Sequence, residues 1–258
     1  MMSGISWAVV LGASEGIGAA FARLLAERGY ALILVARREE PLQALAAELR
    51  ARHGHAVEVR ALDLAAADLE AQLRVLATSY QVETLIYNAA LSIVAPFLET
   101  PISDKQRILD INVRGPMIAA HVFGEPMAAR GKGTIVLMSS LTAFWGSPWV
   151  ATYGATKAFN LSLGEALAVE LKARGVDVIV CTAGATSTPG FVATTANTTP
   201  PASMTPEAVA RQTLARVRRG LFVPGVLNRF AQWFLTRLLP RRTAVGIMGG
   251  QTSKLLRR

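Results

Sequence analysis

The chain is predicted to fold as one α/β domain, doubly wound, with a seven-stranded parallel sheet and helices on both faces. Three observations lead there. Short apolar, β-branched runs alternate with helical stretches along most of the sequence, and such alternation implies right-handed βαβ crossovers. The first run passes straight into a glycine-rich turn and then into a helical pattern. The 258 residues are 52% hydrophobic and 17% charged, which is the composition of a chain with a large core and not of a disordered one.

The first strand is expected at 5–11, an apolar run bounded by glycine that suits a parallel strand buried on both faces. Gly12-Ala13-Ser14-Glu15-Gly16-Ile17-Gly18 follows, and Ile17, Phe21, Leu24 and Leu25 then recur at helical spacing up to Gly29. Further strands are expected at 31–35, 57–62, 84–87, 134–138, 176–181 and 221–223. Helices are expected at 41–53, 65–79, 103–130, 152–174 and 206–219. Thr205-Pro206-Glu207 marks a helix start, with Thr as N-cap and Pro at the first helical position. Pro116 and Pro126 should kink or break the long helix at 103–130. The irregular stretch at 185–205 is rich in Thr, Pro, Ala and Gly. A loop of that length in a compact domain is disordered or functional, and its position suggests a substrate lid. With no repeat or linker visible, residues 1–224 read as one catalytic domain and 225–258 as a basic, amphipathic extension.

Chemistry is concentrated in Tyr153 and Lys157, four residues apart in Thr152-Tyr153-Gly154-Ala155-Thr156-Lys157, with Ser140 thirteen residues before the tyrosine. On a helix, i and i+4 share a face. A free phenol titrates near ~10, and a cation beside it favours the phenolate. The pair therefore suits acid–base work near neutral pH, although a solvated lysine beside a half-buried tyrosine has the same spacing. The glycine turn between strand and helix is the arrangement that sets a helix N-terminus against a phosphate. Glycine lets the backbone turn sharply and approach a ligand without a Cβ in the way.

With these motifs, residues 5 to 224 resemble the short-chain dehydrogenase/reductase family. Gly12, Gly16 and Gly18 match its glycine motif, with Leu11 where threonine is usual. Asp63-Leu64 stands after the third strand, where the family's aspartate contacts adenine, and Asn88-Ala89-Ala90 stands where Asn-Ala-Gly is typical. Asn112 lies in Asp110-Ile111-Asn112-Val113, Ser140 ends a strand after Ser139, and Ala183-Gly184-Ala185-Thr186-Ser187-Thr188 matches the P-G-x-x-x-T motif with Ala for Pro. The resemblance implies a Rossmann-type fold and an NAD(P)-dependent oxidoreductase with Asn112, Ser140, Tyr153 and Lys157 as its catalytic tetrad. Tyr153 would move the proton, and Ser140 would hold the substrate oxygen. Lys157 would grip the nicotinamide ribose and depress the pKa of Tyr153, and Asn112 would position a water in a proton relay. Cofactor contacts are expected from Gly12, Ser14, Glu15, Gly16, Ile17, Gly18, Asp63, Leu64, Asn88, Ala89, Ala90, Ala183, Gly184, Thr186 and Thr188, besides Tyr153 and Lys157. A homo-dimer or homo-tetramer is expected.

Cofactor choice is read from the end of the second strand. An NAD site wants a carboxylate there for the ribose 2′-hydroxyl. This chain has Ala36 followed by Arg37 and Arg38, and a guanidinium can meet a 2′-phosphate with forked, charge-assisted bonds. NADP(H) is therefore expected over NAD(H), although Glu15 in the glycine turn counts against it. Two solvated arginines would look the same. The segment from Leu141 to Trp149 carries Phe144, Trp145 and Trp149 between the serine and the tyrosine. It should border the pocket and favour a lipophilic carbonyl or alcohol, unless it serves loop packing or a subunit contact. The alternative from another class is a non-catalytic NADP(H)-binding sensor or scaffold of the same fold.

The remaining composition narrows the setting. One cysteine, Cys181, permits no internal disulfide and suits a reducing, cytoplasmic compartment; it is expected as a small buried residue of the sixth strand. His53, His55 and His121 have no metal-ligand spacing, and no secretory leader is expected, because no basic segment precedes the apolar start. The net charge of +9 is local: residues 208 to 258 hold eleven Lys or Arg and no acid, leaving −2 for the rest. Within that tail, 226–239 reads as an amphipathic helix ended by Pro240-Arg241-Arg242. Leu227, Phe230, Phe234 and Leu238 lie on one side, with Asn228, Arg229, Gln232 and Thr236 on the other. It is too short to span a bilayer, which needs ~20 residues. Its apolar side is expected either to pack on the protein or to lie on an anionic membrane surface. No module for nucleic-acid binding is present.

Overall fold

The computed structural model describes residues 5–190 and 203–256. Seven parallel strands form one sheet in the order β3-β2-β1-β4-β5-β6-β7: β1 Trp7–Leu11, β2 Ala31–Ala36, β3 Val57–Ala61, β4 Val82–Tyr87, β5 Gly133–Ser140, β6 Val176–Ala183 and β7 Leu221–Phe222. Each strand was expected to within two residues. The helices are α1 Gly16–Glu27, α2 Glu39–His53, α3 Leu69–Ser79, α4 Ile102–Leu109, α5 Gly115–Arg130, α6 Ala151–Glu170, α7 Pro206–Leu214, α8 Val226–Arg237 and α9 Arg241–Leu256.

Alternate residues of the strands feed two cores, one on each face. Ala8 and Val10 of β1 join α1, α2 and α7, whereas Trp7, Val9 and Leu11 join α3 and α5. All five residues of β1 are buried, as a central parallel strand requires. Chain order reverses between β1 and β4, and open sheets of this kind bind ligands in the crevice at the carboxyl ends of the strands beside such a reversal.

The structure corrects four sequence expectations. The long helix at 103–130 is three pieces: α4, a π-turn at Asp110–Arg114 and α5. Neither proline breaks it, because Pro116 stands in the first turn of α5 and α5 continues through Pro126. Phe123 and Met127 beside Pro126 are fully buried, so packing outweighs the lost hydrogen bond. The helix expected from residue 65 begins at Leu69, because Asp63 folds the preceding segment into a turn by accepting from Ala65 N–H at 3.0 Å. The helices expected to 174 and 219 end at Glu170 and Leu214, each followed by a 3-10 turn. A second C-terminal helix, α9, follows Pro240; its three glycines and lack of an apolar stripe hide it in the sequence. The Thr205 cap is as expected, its side chain accepting from Ala208 N–H at 3.2 Å. Of the expected lid, residues 191–202 lie outside the described residues.

Candidate active site

The strand ends gather the residues singled out in the sequence along one edge of the sheet. Gly12 leaves β1, Arg37 and Arg38 leave β2, and Asp63 and Leu64 leave β3; Asn88 to Ala90 leave β4, Ser140 ends β5, and Gly184 to Thr188 follow β6.

The glycine turn is shaped by contacts no side chain could share. Gly12 has φ +89°, and a Cβ there would stand 2.6 Å from Ala89 N. Gly16 has φ +57° with Thr188 Cγ2 2.9 Å from its would-be Cβ, so the segment after β6 lies directly against the turn. Asn88 Nδ2 donates to Gly12 O at 2.9 Å, and the amides of Asn88 and Ala89 both donate to Leu11 O at 2.9 Å. The end of β4 therefore clamps the turn. Glu15 precedes α1 in an extended conformation without capping it through its side chain, which leaves first-turn amides for a ligand. A cradle of bare backbone at a helix N-terminus, at the reversal of the sheet, fits a dinucleotide.

At the rim, Arg38 pairs with Glu15 at 2.6 Å. Arg37 is exposed and makes no hydrogen bond or ion pair among the described residues. Asp63 is held by Ala65 N–H and by Arg107 at 2.7 Å. Burial works to raise its pKa, but these two partners outweigh it and hold the carboxyl below its ordinary value. Leu64 is buried, and Ala90 is exposed.

Four residues from three elements meet deeper in the crevice. Ser139 at the end of β5 donates to Lys157 O at 2.7 Å, which pins α6 to the sheet and uses up that hydroxyl. Ser140, the next residue, lies beside Tyr153, and its hydroxyl accepts from Thr142 N–H at 3.3 Å. Lys157 is buried, and its Nζ donates to Met138 O at 3.0 Å. Asn112 sits fully buried in the π-turn. Its Oδ1 accepts from Leu91 N–H at 2.8 Å, and its Nδ2 donates to Leu91 O at 2.9 Å and to Thr156 Oγ1 at 3.1 Å. Thr156 in turn donates to Tyr153 O at 2.7 Å. Sequence reasoning missed Thr156 because its side chain matters only once α6 meets the π-turn.

One expectation changes here: the pKa of Tyr153 is raised, not depressed. The ammonium of Lys157 lies 5.4 Å from the tyrosine ring centroid and donates to Met138 O. Burial pushes the phenol of Tyr153 up, against the opposing influence of the neighbouring Ser140 hydroxyl. Burial also lowers Lys157 to about 8, a nearby Cys181 acting slightly the other way. Asn112 has both side-chain amide hydrogens engaged by Leu91 and Thr156, and these contacts join the π-turn, the segment after β4 and α6.

A shallow cleft opens beside Tyr153, lined by Ile93, Ala95, Phe97, Ile108, Trp149 and Val150 together with the polar Thr100, Lys105 and Thr152. Of the three aromatics expected there, only Trp149 lines it. Trp145 is buried within its own loop against Phe144, with ring centroids 5.6 Å apart. Trp149 has φ +69°, an uncommon conformation for a bulky residue. Cys181 is buried in β6, as expected.

The model of a family described as short chain dehydrogenase matches residues 6–199. The chain belongs to the short-chain dehydrogenase family. As a short-chain dehydrogenase it is an oxidoreductase acting on CH–OH groups, the class its motifs implied. It is 33% identical over 186 residues, 72% of this chain and 71% of the other, to a 7beta-hydroxysteroid dehydrogenase of Collinsella aerofaciens. It is 40% identical over 178 residues to a very-long-chain 3-oxoacyl-CoA reductase of Pyricularia oryzae, covering 67% of this chain but only 54% of that protein. A solved 7beta-hydroxysteroid dehydrogenase superposes with a TM-score of 0.89 at 27% identity, over 94% of this chain and 96% of that one. A short-chain dehydrogenase from Sphingobium yanoikuyae in complex with NADPH gives 0.80 at 28%, over 92% and 97%.

Proposed function

We propose that this short-chain dehydrogenase interconverts a carbonyl and a secondary alcohol on a lipophilic substrate, with NADP(H) as cofactor and Tyr153 as general acid and base. The observation that carries the reading is the convergence of Ser140, at the end of β5, with Tyr153 and the buried amine of Lys157, one turn apart on α6, beside a cleft lined mostly by apolar residues. The cofactor, when bound, supplies or accepts the hydride. Gly12, Ser14, Gly16, Ile17 and Gly18 would hold its phosphates, with Asp63, Leu64, Asn88, Ala89, Ala90, Ala183, Gly184, Thr186 and Thr188 along its length.

Tyr153 gives its phenolic proton to the substrate oxygen in reduction and takes one in oxidation. Ser140 donates a hydrogen bond to the same oxygen and stabilises its growing negative charge. Lys157, its buried amine donating to Met138 O, would grip the nicotinamide ribose. Asn112 and Thr156 keep α6 in register with the crevice. A pure sensor would need neither the Ser140 hydroxyl nor the phenol of Tyr153 beside it.

NADP(H) is favoured because Ala36 leaves no carboxylate to repel a 2′-phosphate, Arg37 makes no hydrogen bond or ion pair among the described residues, and Arg38 neutralises Glu15. The NADPH complex of the Sphingobium relative points the same way. A lipophilic substrate is favoured by the cleft lining and by relatives named for hydroxysteroids and long 3-oxoacyl chains. Residues 1–224 are read as the catalytic body and 225–258 as an extension, in a homo-dimer or homo-tetramer. The test is NADPH oxidation against a panel of ketosteroids, long-chain 3-oxoacyl thioesters and short ketones, alongside cofactor titration. Turnover confined to bulky apolar ketones is the expected result. Tight NADPH binding with no turnover on any of them would return the protein to the sensor reading.

A further inference from the structure

Helix α8 is built inside out. Its body-facing side is formed by Asn228, Ala231, Gln232 and Leu235, all partly covered, and no residue of the helix is buried. Asn228 donates to Pro224 O at 2.9 Å and stands against Gly184, while Arg229 reaches back to Val223 O and the Phe222 ring. The apolar stripe points away from the protein: Leu227 is 70% exposed, Phe230 61% and Trp233 49%, with Phe234 and Leu238 continuing the row. Amphipathic helices ordinarily bury that stripe in their own protein. A row of large apolar and aromatic residues left in water marks an interaction surface.

We propose that this face of α8, with the arginines around it, docks on the surface of an anionic membrane. Charge decides between the occupants. Arg229, Arg237, Arg241 and Arg242 are exposed on and just after the helix, and no Asp or Glu occurs after Glu207. A second copy would meet this patch through the same patch, since two-fold contacts are isologous. That would set arginines against arginines with no acid from the segment to offset them. Anionic headgroups supply the missing charge, and aromatic side chains settle at the headgroup boundary. The helix lies on the surface and does not cross, since no helix among the described residues is long and apolar enough to do so. The patch is held firmly. Helix α9 carries Arg241 against Phe144 O at 3.4 Å, and a Cβ at Gly249 would come within 3.0 Å of Pro148. Both contacts are on the loop that leads into Trp149 and the cleft, so the docked face would stand close to the mouth through which a lipophilic molecule enters.

The full-length protein is sedimented with vesicles of phosphatidylcholine alone, or mixed with phosphatidylserine, across a salt series. Binding is expected only to the mixed vesicles and weakens as salt rises. Phe230→Ser with Trp233→Ser, and separately Arg241→Gln with Arg242→Gln, should each weaken it on the order of tenfold or more. NADPH affinity, unchanged in both variants, confirms that they fold, and Trp233 emission should shift to the blue with anionic vesicles. The readout needs no turnover, so it stands or falls apart from the proposed reaction. Absence of binding to the mixed vesicles at low salt, or binding by either variant as tight as the parent's, overturns the proposal. So does a serine variant that turns an oligomer into monomers without changing vesicle binding, because the occupant is then a second copy.

Discussion

The hydroxyl of Tyr87 donates to the carbonyl of Ile111 at 2.6 Å, tying the end of β4 to the π-turn that carries Asn112. Gly115 leaves the space for it, since a Cβ there would lie 2.0 Å from the Tyr87 oxygen. π-turns are rare and are found mostly at functional positions. Here one buried hydroxyl and one missing side chain hold the turn in place.

Tyr87→Phe should therefore leave a buried carbonyl without its partner and cost about 1–3 kcal/mol. Gly115→Ala should be worse, because Tyr87 must move. In the Tyr87→Phe background the alanine should cost less, and a double-mutant cycle by urea unfolding measures that coupling. Additive effects would mean the two residues do not share the space as described.

Tyr153→Phe removes only the hydroxyl. Turnover should fall ~10²-fold or more, as for loss of a positioned general acid, with NADPH affinity nearly kept. Ser140→Ala should lower turnover without changing cofactor binding, and Lys157→Met should impair both. Steady-state rates with fluorescence titration of cofactor separate these outcomes. A Phe variant that keeps most of its activity would remove Tyr153 from the mechanism.

Lys157 makes cofactor-free stability depend on pH. Its amine titrates at about 8 when folded against 10.5 in its ordinary state. Between those values the unfolded chain binds the extra proton, so stability should rise with pH, at up to about 1.4 kcal/mol per unit. Below pH 8 both states are protonated and the contribution is flat. The Cys181 thiol, pushed up by burial to about 12 from 9.0, acts in the opposite sense above pH 9. Chemical unfolding of the parent and of Lys157→Met across this range isolates the lysine. A difference that stays constant, or shrinks the other way, contradicts the assignment.

NADPH should bind more tightly than NADH, and Arg37→Ala should narrow the gap. Arg38→Ala should narrow it too, by releasing the carboxylate of Glu15 now paired at 2.6 Å. Dissociation constants must be compared at one ionic strength, because exposed arginine contacts are screened by salt. A parent protein that prefers NADH would sink the idea.

The sequence by itself determined the sheet, its order of elements and the identity of the crevice residues. Those signals are local: apolar runs mark buried strands, helical spacing marks faces, and glycines mark turns where no Cβ fits, as at Gly12 and Gly16. The family resemblance favoured Ser140 over Ser139, whose hydroxyl is taken up by Lys157 O. Tertiary structure decided what depends on which surfaces meet. The π-turn exists because Tyr87 reaches Ile111, which lies 24 residues away. Thr156 and the committed amide of Asn112 become visible only once α6 meets that turn. The pKa of Tyr153 follows burial more than its neighbour Lys157, because solvent exclusion is set by the whole fold and not by i+4 spacing. The same reason governs α8, whose sequence shows two faces but not which one turns toward the protein. Asn228 against Gly184 and Arg229 against Phe222 settled that, and left the aromatic face outside.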